Sequence, residues 1–328
     1  MKPAKKIGLI CFALLLTVQL STAAQEDIVE KSFKVKPGGT LILDTDIGSV
    51  EVNTEAKDEV FVQIQYSLKS WGSGSLEATL DKYDLVFNQN GNDVQILNKY
   101  KDSDNWRKHI KNFQVTFIIS VPHAYHLELK TSGGSISVND LDGTIKAKTS
   151  GGSIKFGAIS GAINASTSGG SIKVEKCGAS VDVHTSGGSI KMGEINGDVA
   201  AHTSGGNISL GSIDGSVVAK TSGGSIWVED LKKSVLAETS GGSVTASISE
   251  QPEGDCRLTT SGGNVHVTLA EKINLNLDAS TSGGSIHTDF PVKIQGKLST
   301  KHIQAEINDG GPLLYLRTSG GSVFVNKM

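Results

Sequence analysis

Two histidine pairs have the residue types and the spacing of a surface metal site. In each pair the histidines are about one sequence repeat apart, and an aspartate lies two residues from one of them. Imidazoles and carboxylates on neighbouring strands can share Zn²⁺ or Cu²⁺, although ordinary surface histidines in a polar row are the simpler explanation. The candidates are His184 and His202 with Asp182, and His266 and His287 with Asp289.

A row of lysines has the same spacing. Lys155, Lys173 and Lys191 are 18 residues apart, and Trp227 and later Phe324 occupy the same position in their own repeats. Brought together on one surface, these cations and aromatic rings would form a ridge suited to an acidic glycan. The alternative explanation is a row that keeps the protein soluble and blunts unwanted strand pairing.

Motifs for catalysis or cofactor binding do not occur. The chain has no nucleophile elbow, no H-E-x-x-H motif, no phosphate loop and no Cys-pair metal motif. The segment Asp44-Thr45-Asp46-Ile47-Gly48 begins like a calcium loop but lacks the later ligands. The sequence therefore assigns no catalytic or cofactor-binding residue, and we expect no cofactor and no enzymatic activity.

The elements that position these residues are set by the hexapeptide Thr-Ser-Gly-Gly-(Ser/Asn)-(Ile/Val). Most of its copies are 18 residues apart, and a fixed period of this kind is typical of a repeat architecture. We predict an all-β fold, a single-stranded, right-handed parallel β-helix (β-solenoid) of about 18-residue coils. The motif begins at Thr131, Thr149, Thr167, Thr185, Thr203, Thr221, Thr239, Thr260, Thr281 and Thr318.

Apolar residues fall into columns when the repeats are aligned on this threonine. The columns stand four and two residues before the threonine and five and ten residues after it, with variable polar residues between them. Side chains two apart on a strand share a face, so these columns and the threonine itself should point inward. Cys177 and Cys256 replace aliphatic residues in two columns, which predicts buried free thiols. The glycine pair predicts sharp corners with positive φ.

The organisation along the chain follows from changes in this pattern. Residues 1–24 carry three lysines, an apolar run and a small-residue stretch, the layout of a signal peptide cleaved after Ala24. Residues 25–68 resemble degenerate N-terminal coils. Residues 69–112 form an insertion with a hairpin and a basic loop, for which a solvated loop is a simpler explanation than a ligand-contacting lid. Residues 113–328 form the regular solenoid.

The C-terminal end and the net charge bear on partners. The final strand, Val323-Phe324-Val325, has no obvious capping segment, so the solenoid end is a candidate for self-association.

Without the lysines of the signal peptide, the chain has 28 basic and 34 acidic residues, a formal charge of −6. We therefore expect no nucleic-acid partner, and no second apolar run reaches the length of a transmembrane segment.

Several segments resemble a known family. Thr-Ser-Gly-Gly-Ser repeats after Val121-Pro122, a first coil with Gly39-Thr40-Leu41-Ile42-Leu43, and the terminal run Asn308-Asp309-Gly310-Gly311-Pro312 are similar to the bacterial "putative adhesin" family of β-strand repeats. The likeness covers about residues 31–328. It implies an exported β-solenoid of unknown function and brings no catalytic residues to carry over.

The function predicted from these features is a non-enzymatic, exported cell-envelope protein, located in the periplasm or at the cell surface. It would be structural or adhesive and would bind a polymer or another protein through an extended face of the solenoid. Two alternatives stay open: a polysaccharide-active β-helix enzyme and a scaffold that polymerises end to end.

Overall fold

The computed structural model describes residues 25–68, 75–101, 113–294 and 299–328. The predicted signal peptide and most of the predicted basic loop, including Trp106, Arg107, Lys108 and Lys111, lie outside the described residues. Almost all of the regular secondary structure in the described chain is β-strand, in two long sheets of mostly parallel strands, and the remainder is one short helix, α1 (Leu76–Leu80). No helix in the described part is long and apolar enough to cross a membrane.

Strands are numbered in chain order, and each sheet is given in its spatial order. Sheet A runs β1 (Gln25–Lys34), β4 (Glu59–Leu68), β7 (Phe113–Pro122), β3 (Ser49–Glu55), β9 (Ile136–Val138), β11 (Ile154–Ile159), β13 (Ile172–Cys177), β15 (Ile190–Ile195), β17 (Ile208–Ile213), β19 (Ile226–Leu231), β21 (Val244–Ile248), β23 (Val265–Leu269), β29 (Val323–Lys327), β25 (Ile286–Thr288). Sheet B runs β26 (Val292–Ile294), β27 (His302–Ile307), β24 (Leu275–Thr281), β28 (Leu313–Thr318), β22 (Cys256–Thr259), β20 (Val235–Glu238), β18 (Val217–Lys220), β16 (Val199–His202), β14 (Val181–Thr185), β12 (Ile163–Thr167), β10 (Ile145–Lys148), β8 (His126–Thr131), β2 (Thr40–Thr45), β6 (Asp93–Tyr100), β5 (Tyr83–Asn90).

Each regular coil contributes one strand to each sheet, which confirms the predicted β-solenoid. Ile154 pairs with Ile172 in sheet A and Ile145 with Ile163 in sheet B, so the parallel register equals the 18-residue repeat. Along these strands, buried and more exposed side chains alternate: in β12, Ile163 and Ala165 are buried, Asn164 is exposed and Ser166 is half-buried. The buried positions include the predicted inward columns, and together they form one continuous core between the two sheets.

The motif threonines are buried, as predicted, and each contributes hydrogen bonds between coils. Thr149 Oγ1 donates to the carbonyl oxygen of Gly134, in the preceding coil, at 2.7 Å and accepts from the amide of Gly152 at 3.4 Å. The serine at the fifth position of the motif forms a second ladder of hydrogen bonds at the surface, where the amide of Ser153 donates to Ser135 Oγ at 3.2 Å. The recurring Thr-Ser hydroxyls therefore join neighbouring coils and need no ligand to explain them.

The predicted reason for the glycine pair is wrong. Among the described glycines, positive φ occurs only at Gly38, Gly48, Gly91 and Gly310, none of which belongs to a Thr-Ser-Gly-Gly motif. The second glycine of the motif is required by a close approach between coils instead. A Cβ on Gly152 would lie 2.1 Å from the carbonyl oxygen of Gly134 in the neighbouring coil.

The C-terminal coil is not the last coil in space. Strand β29 lies between β23 and β25, with Val323 paired to both Val265 and Ile286. In sheet B, β28 lies between β22 and β24. The expectation of an uncapped final strand is therefore wrong, because the last coil fills an interior layer and the antiparallel strands β27 and β26 follow β24 at the end of sheet B.

The N-terminal end has a similar arrangement. The first coil, β2 and β3, pairs with β8 and β9 on one side and with β6 and β7 on the other. Strands β5 and β6 form an antiparallel hairpin joined by a turn at Gly91 and Asn92. Antiparallel strands thus close both sheets at the N-terminal end and sheet B at the C-terminal end, whereas sheet A ends there at the parallel strand β25. Each terminal coil in the sequence lies one layer or more inside.

The two described cysteines, Cys177 and Cys256, are free and buried, as predicted. Burial raises the pKa of the Cys177 thiol, and it raises the pKa of Cys256 to about 11. Because the thiolate is the reactive form, neither should react with a thiol reagent at pH 8 within minutes in the native protein, and both should react at once in guanidinium chloride. Rapid labelling of both in the native state would contradict the burial.

Candidate functional site

The candidate site is an outward column of side chains across sheet A. Lys155 pairs with Lys173 and Lys173 with Lys191, so the three lysines occupy successive rungs. On the next two strands of the sheet, Ser209 pairs with Lys191 and Trp227 pairs with Ser209. Four strand spacings of about 4.8 Å each place Lys155 about 19 Å from Trp227.

The aromatic end of this column is open to solvent. Trp227 is 59% exposed, which makes it one of the most exposed large apolar side chains in the described part of the chain. Because its indole is not packed into the core, the tryptophan presents a flat apolar face to a ligand. Its indole therefore contributes a stacking surface at a fixed distance from the lysines.

One carboxylate compensates part of the positive charge. Glu175 Oε1 lies 3.1 Å from Lys173 Nζ and 3.7 Å from Lys155 Nζ. The hydrogen bond from Lys173, together with its charge, lowers the pKa of the Glu175 carboxyl. Lys191 forms no ion pair with any residue that the structure describes, so its charge is available to a partner.

A strip with few side chains borders the lysines. Two residues after Lys155 and Lys191 stand Gly157 and Gly193. Gly193 is confined to glycine because a Cβ would lie 2.2 Å from the backbone carbonyl oxygen of Glu175, whereas a Cβ on Gly157 would meet the movable carboxylate of Asp140 at 2.5 Å. Beside Lys155 this strip widens into a shallow polar depression, where Asn139 Nδ2 donates to Asn53 Oδ1 at 2.5 Å. The lysine column is therefore accessible from its side as well as from above.

The chain matches the Toastrack DUF4097 family over residues 41–326. It belongs to that family. The resemblance inferred from the repeat motifs is thereby confirmed, and the matched range takes in the whole lysine column and nearly all of both sheets, without β1.

Solved structures similar to this Toastrack chain come from three bacteria. A "putative cell adhesion protein" from Clostridium sporogenes is 10% identical, with 93% of this chain and 100% of that chain covered and a TM-score of 0.27. A "putative adhesin" from Bacteroides fragilis is 14% identical, with 74% and 97% covered and a TM-score of 0.35. Another from Parabacteroides distasonis is 10% identical, with 92% and 97% covered and a TM-score of 0.32. No curated protein matches the chain.

The His266 and His287 pair of this Toastrack chain is separated by a third ring. Phe324, on the inserted strand β29, lies between them, with ring centroids 4.5 Å from His266 and 5.2 Å from His287. The expectation that these histidines are neighbours is wrong, because it assumed that coils stack in sequence order. The three stacked rings extend the outward column beyond Trp227, and burial lowers the pKa of His266.

The other histidine pair lies on sheet B. His184 and His202 are paired across β14 and β16, and Asp182 is exposed on the same face of β14. In the described ranges, no group of three or more His, Cys, Asp or Glu side chains is arranged to hold a metal ion. The sheet B pair is thus two adjacent imidazoles on the face opposite the lysine column.

Three parts of the site were not recognised in the Toastrack sequence. Glu175 stands two residues after Lys173, and the period-2 rule for strands would have placed it on the same face. The glycines at 157 and 193 lie within β11 and β15, outside the glycine pair of the repeat motif. The depression near Asn53 has no sequence signal, because it joins the first coil to repeats nearly a hundred residues later.

The segment that begins like a calcium loop forms ion pairs within the protein. Asp44 and Asp46 bind Lys99 Nζ at 2.7 Å and 3.0 Å.

Proposed function

We propose that this protein is exported to the cell envelope and binds an extended polymer, without turnover, along the outward column of sheet A. The observation that carries the proposal is the register that aligns Lys155, Lys173 and Lys191 with the exposed Trp227. The adhesin-like naming of its structural neighbours agrees with an envelope role and supplies no ligand.

The geometry favours a linear ligand over a compact one. The candidate groups lie in one row about 19 Å long across successive strands of sheet A. A small molecule would contact one or two rungs, whereas a polymer aligned with the solenoid axis would contact all of them. Many weak contacts at regular spacing then add up to useful affinity, as in other multivalent binding.

Co-sedimentation with a panel of neutral and acidic polysaccharides tests this proposal. We expect the wild-type protein to bind at least one polymer and Trp227→Ala to weaken binding about tenfold or more, because an exposed aromatic anchor contributes about 2 kcal/mol. Tyr315→Ala, an aromatic substitution on sheet B, is the matched control and should bind normally. Binding that is equally reduced by both variants, or by neither, would place the site elsewhere.

The alternative functions have separate readouts. Release of soluble products from a bound polysaccharide would support the polysaccharide-active enzyme instead. A sedimentation coefficient that rises with protein concentration would support the end-to-end scaffold. Protease accessibility tests the envelope location, since a surface protein is cleaved on intact cells, a periplasmic protein only after the outer membrane is opened, and an intracellular protein only after lysis.

A further inference from the structure

We infer that the polymer is an acidic glycan with uronic acid units, bound with a carboxylate at Lys191 and a sugar ring on Trp227, and that Glu175 restrains its affinity. This inference rests on the proposed function, because it specifies the ligand of the same column. The support for it is the position of each charged and aromatic side chain along the column.

Lys191 is the cation best placed to bind a carboxylate. Lys155 and Lys173 both face Glu175, whereas Lys191 has no ion-pair partner among the described residues. Glu194, which follows Lys191 by three residues, binds Lys176 Nζ at 2.9 Å. A ligand carboxylate can therefore pair with Lys191 without first breaking an ion pair within the protein.

The aromatic end selects a neutral sugar ring. Glu229 follows Trp227 by two residues and is exposed on the same face of β19. Its negative charge repels a second carboxylate at this rung, while its oxygens can accept hydrogen bonds from sugar hydroxyls. The sugar that stacks on the indole should thus present an apolar ring face without a charge.

The distance between the two subsites suits one disaccharide step. Ser209 is the only rung between Lys191 and Trp227, so the two subsites are about 9.6 Å apart, two strand spacings. One disaccharide of an extended glycan spans a similar distance. A chain in which acidic and neutral sugars alternate would place its carboxylate and its ring face on the matching rungs.

Glu175 acts against this ligand. Its carboxylate lies between Lys155 and Lys173, where it neutralises charge that would otherwise attract the polymer. Removing its charge should strengthen binding of an acidic glycan and leave binding of a neutral one unchanged. A purely structural role for Glu175 would not produce a gain that depends on the charge of the ligand.

Isothermal titration with defined oligosaccharides tests the inference. The probes are tetra- and octasaccharides of alternating glucuronate and N-acetylglucosamine, of galacturonate and of alginate, each beside its carboxyl-reduced counterpart. We expect Glu175→Gln to bind the alternating glucuronate octasaccharide about two- to fivefold more tightly at low salt, since exposed charges interact weakly. Lys191→Gln should bind it about three- to tenfold more weakly, and added salt should reduce both differences.

Two controls on sheet B are matched to these variants. Glu128→Gln removes a carboxylate that binds Lys146 at 2.8 Å, and Lys148→Gln removes an exposed lysine. Neither should change the affinity. Equal binding of uronate and carboxyl-reduced probes, lost in Trp227→Ala and unchanged in Glu175→Gln, would overturn the acidic ligand and leave polymer binding standing. No binding of any probe, together with a negative polysaccharide panel, would overturn both.

Discussion

Gly152→Ala is expected to destabilise the solenoid by about 3 kcal/mol or more, at or above the upper end of the usual cost of overpacking. The added Cβ would lie 2.1 Å from the carbonyl oxygen of Gly134, and the nearby atoms are all backbone. Backbone of the neighbouring coil can move away only by lengthening hydrogen bonds between coils. The urea midpoint of the purified protein measures the effect.

The adjacent glycine is the matched control. A Cβ on Gly151 would have its nearest contact at 3.5 Å, an ordinary van der Waals distance, and φ at this residue lies outside the left-handed region. Gly151→Ala should therefore leave stability within about 1 kcal/mol, or raise it slightly, because alanine restricts the unfolded chain. Equal losses in the two variants would contradict the close approach as the reason for the second glycine.

Ending the chain after Gly311 is expected to release the whole C-terminal region. The deletion removes β28 and β29, whose buried Leu314, Leu316, Val323 and Val325 fill an interior layer. Each such side chain stabilises by roughly 1.5–3 kcal/mol when buried. Strands β24 and β25 would lose their partners toward the body of the solenoid, so the amides of residues 275–288 should lose protection from hydrogen exchange.

Removing the opposite end provides the comparison. Strand β1 is an edge strand of sheet A that pairs with β4. Deleting residues 25–34 should leave the amides of the regular coils protected from hydrogen exchange. The deletion only turns β4 into the edge strand and removes no interior layer of the stack. If the C-terminal truncation behaved in the same way and left β24 and β25 protected, the inserted position of the last coil would be wrong.

The sequence predicts the repeating part of this fold because one period sets both the register and the inward face. Ile145, Ile163 and their equivalents recur at 18 residues, and only stacked coils bring all of them into the same core. The lysine column follows from the same register. Its members could be named before the structure because a residue between two inward positions of a strand must face out.

The ends of the stack could not be predicted in this way. The 37-residue step between Thr281 and Thr318 is compatible with two sequential coils and with a strand that returns to an inner layer. Both arrangements bury the same aliphatic residues, so hydrophobic periodicity does not distinguish them. The misplacement of His266 beside His287 came from this ambiguity. The glycine pair was ambiguous as well, because a tight corner and a close contact both favour glycine.

Hydroxyl-radical footprinting of the protein with and without a bound polysaccharide tests the central claim most directly. If the outward column of sheet A is the binding face, the polymer should protect Trp227 and His287 from oxidation. His184 and Tyr315, on sheet B, should be oxidised to the same extent in both samples. Protection of the sheet B residues, with Trp227 as reactive as in the free protein, would contradict the assignment of the site.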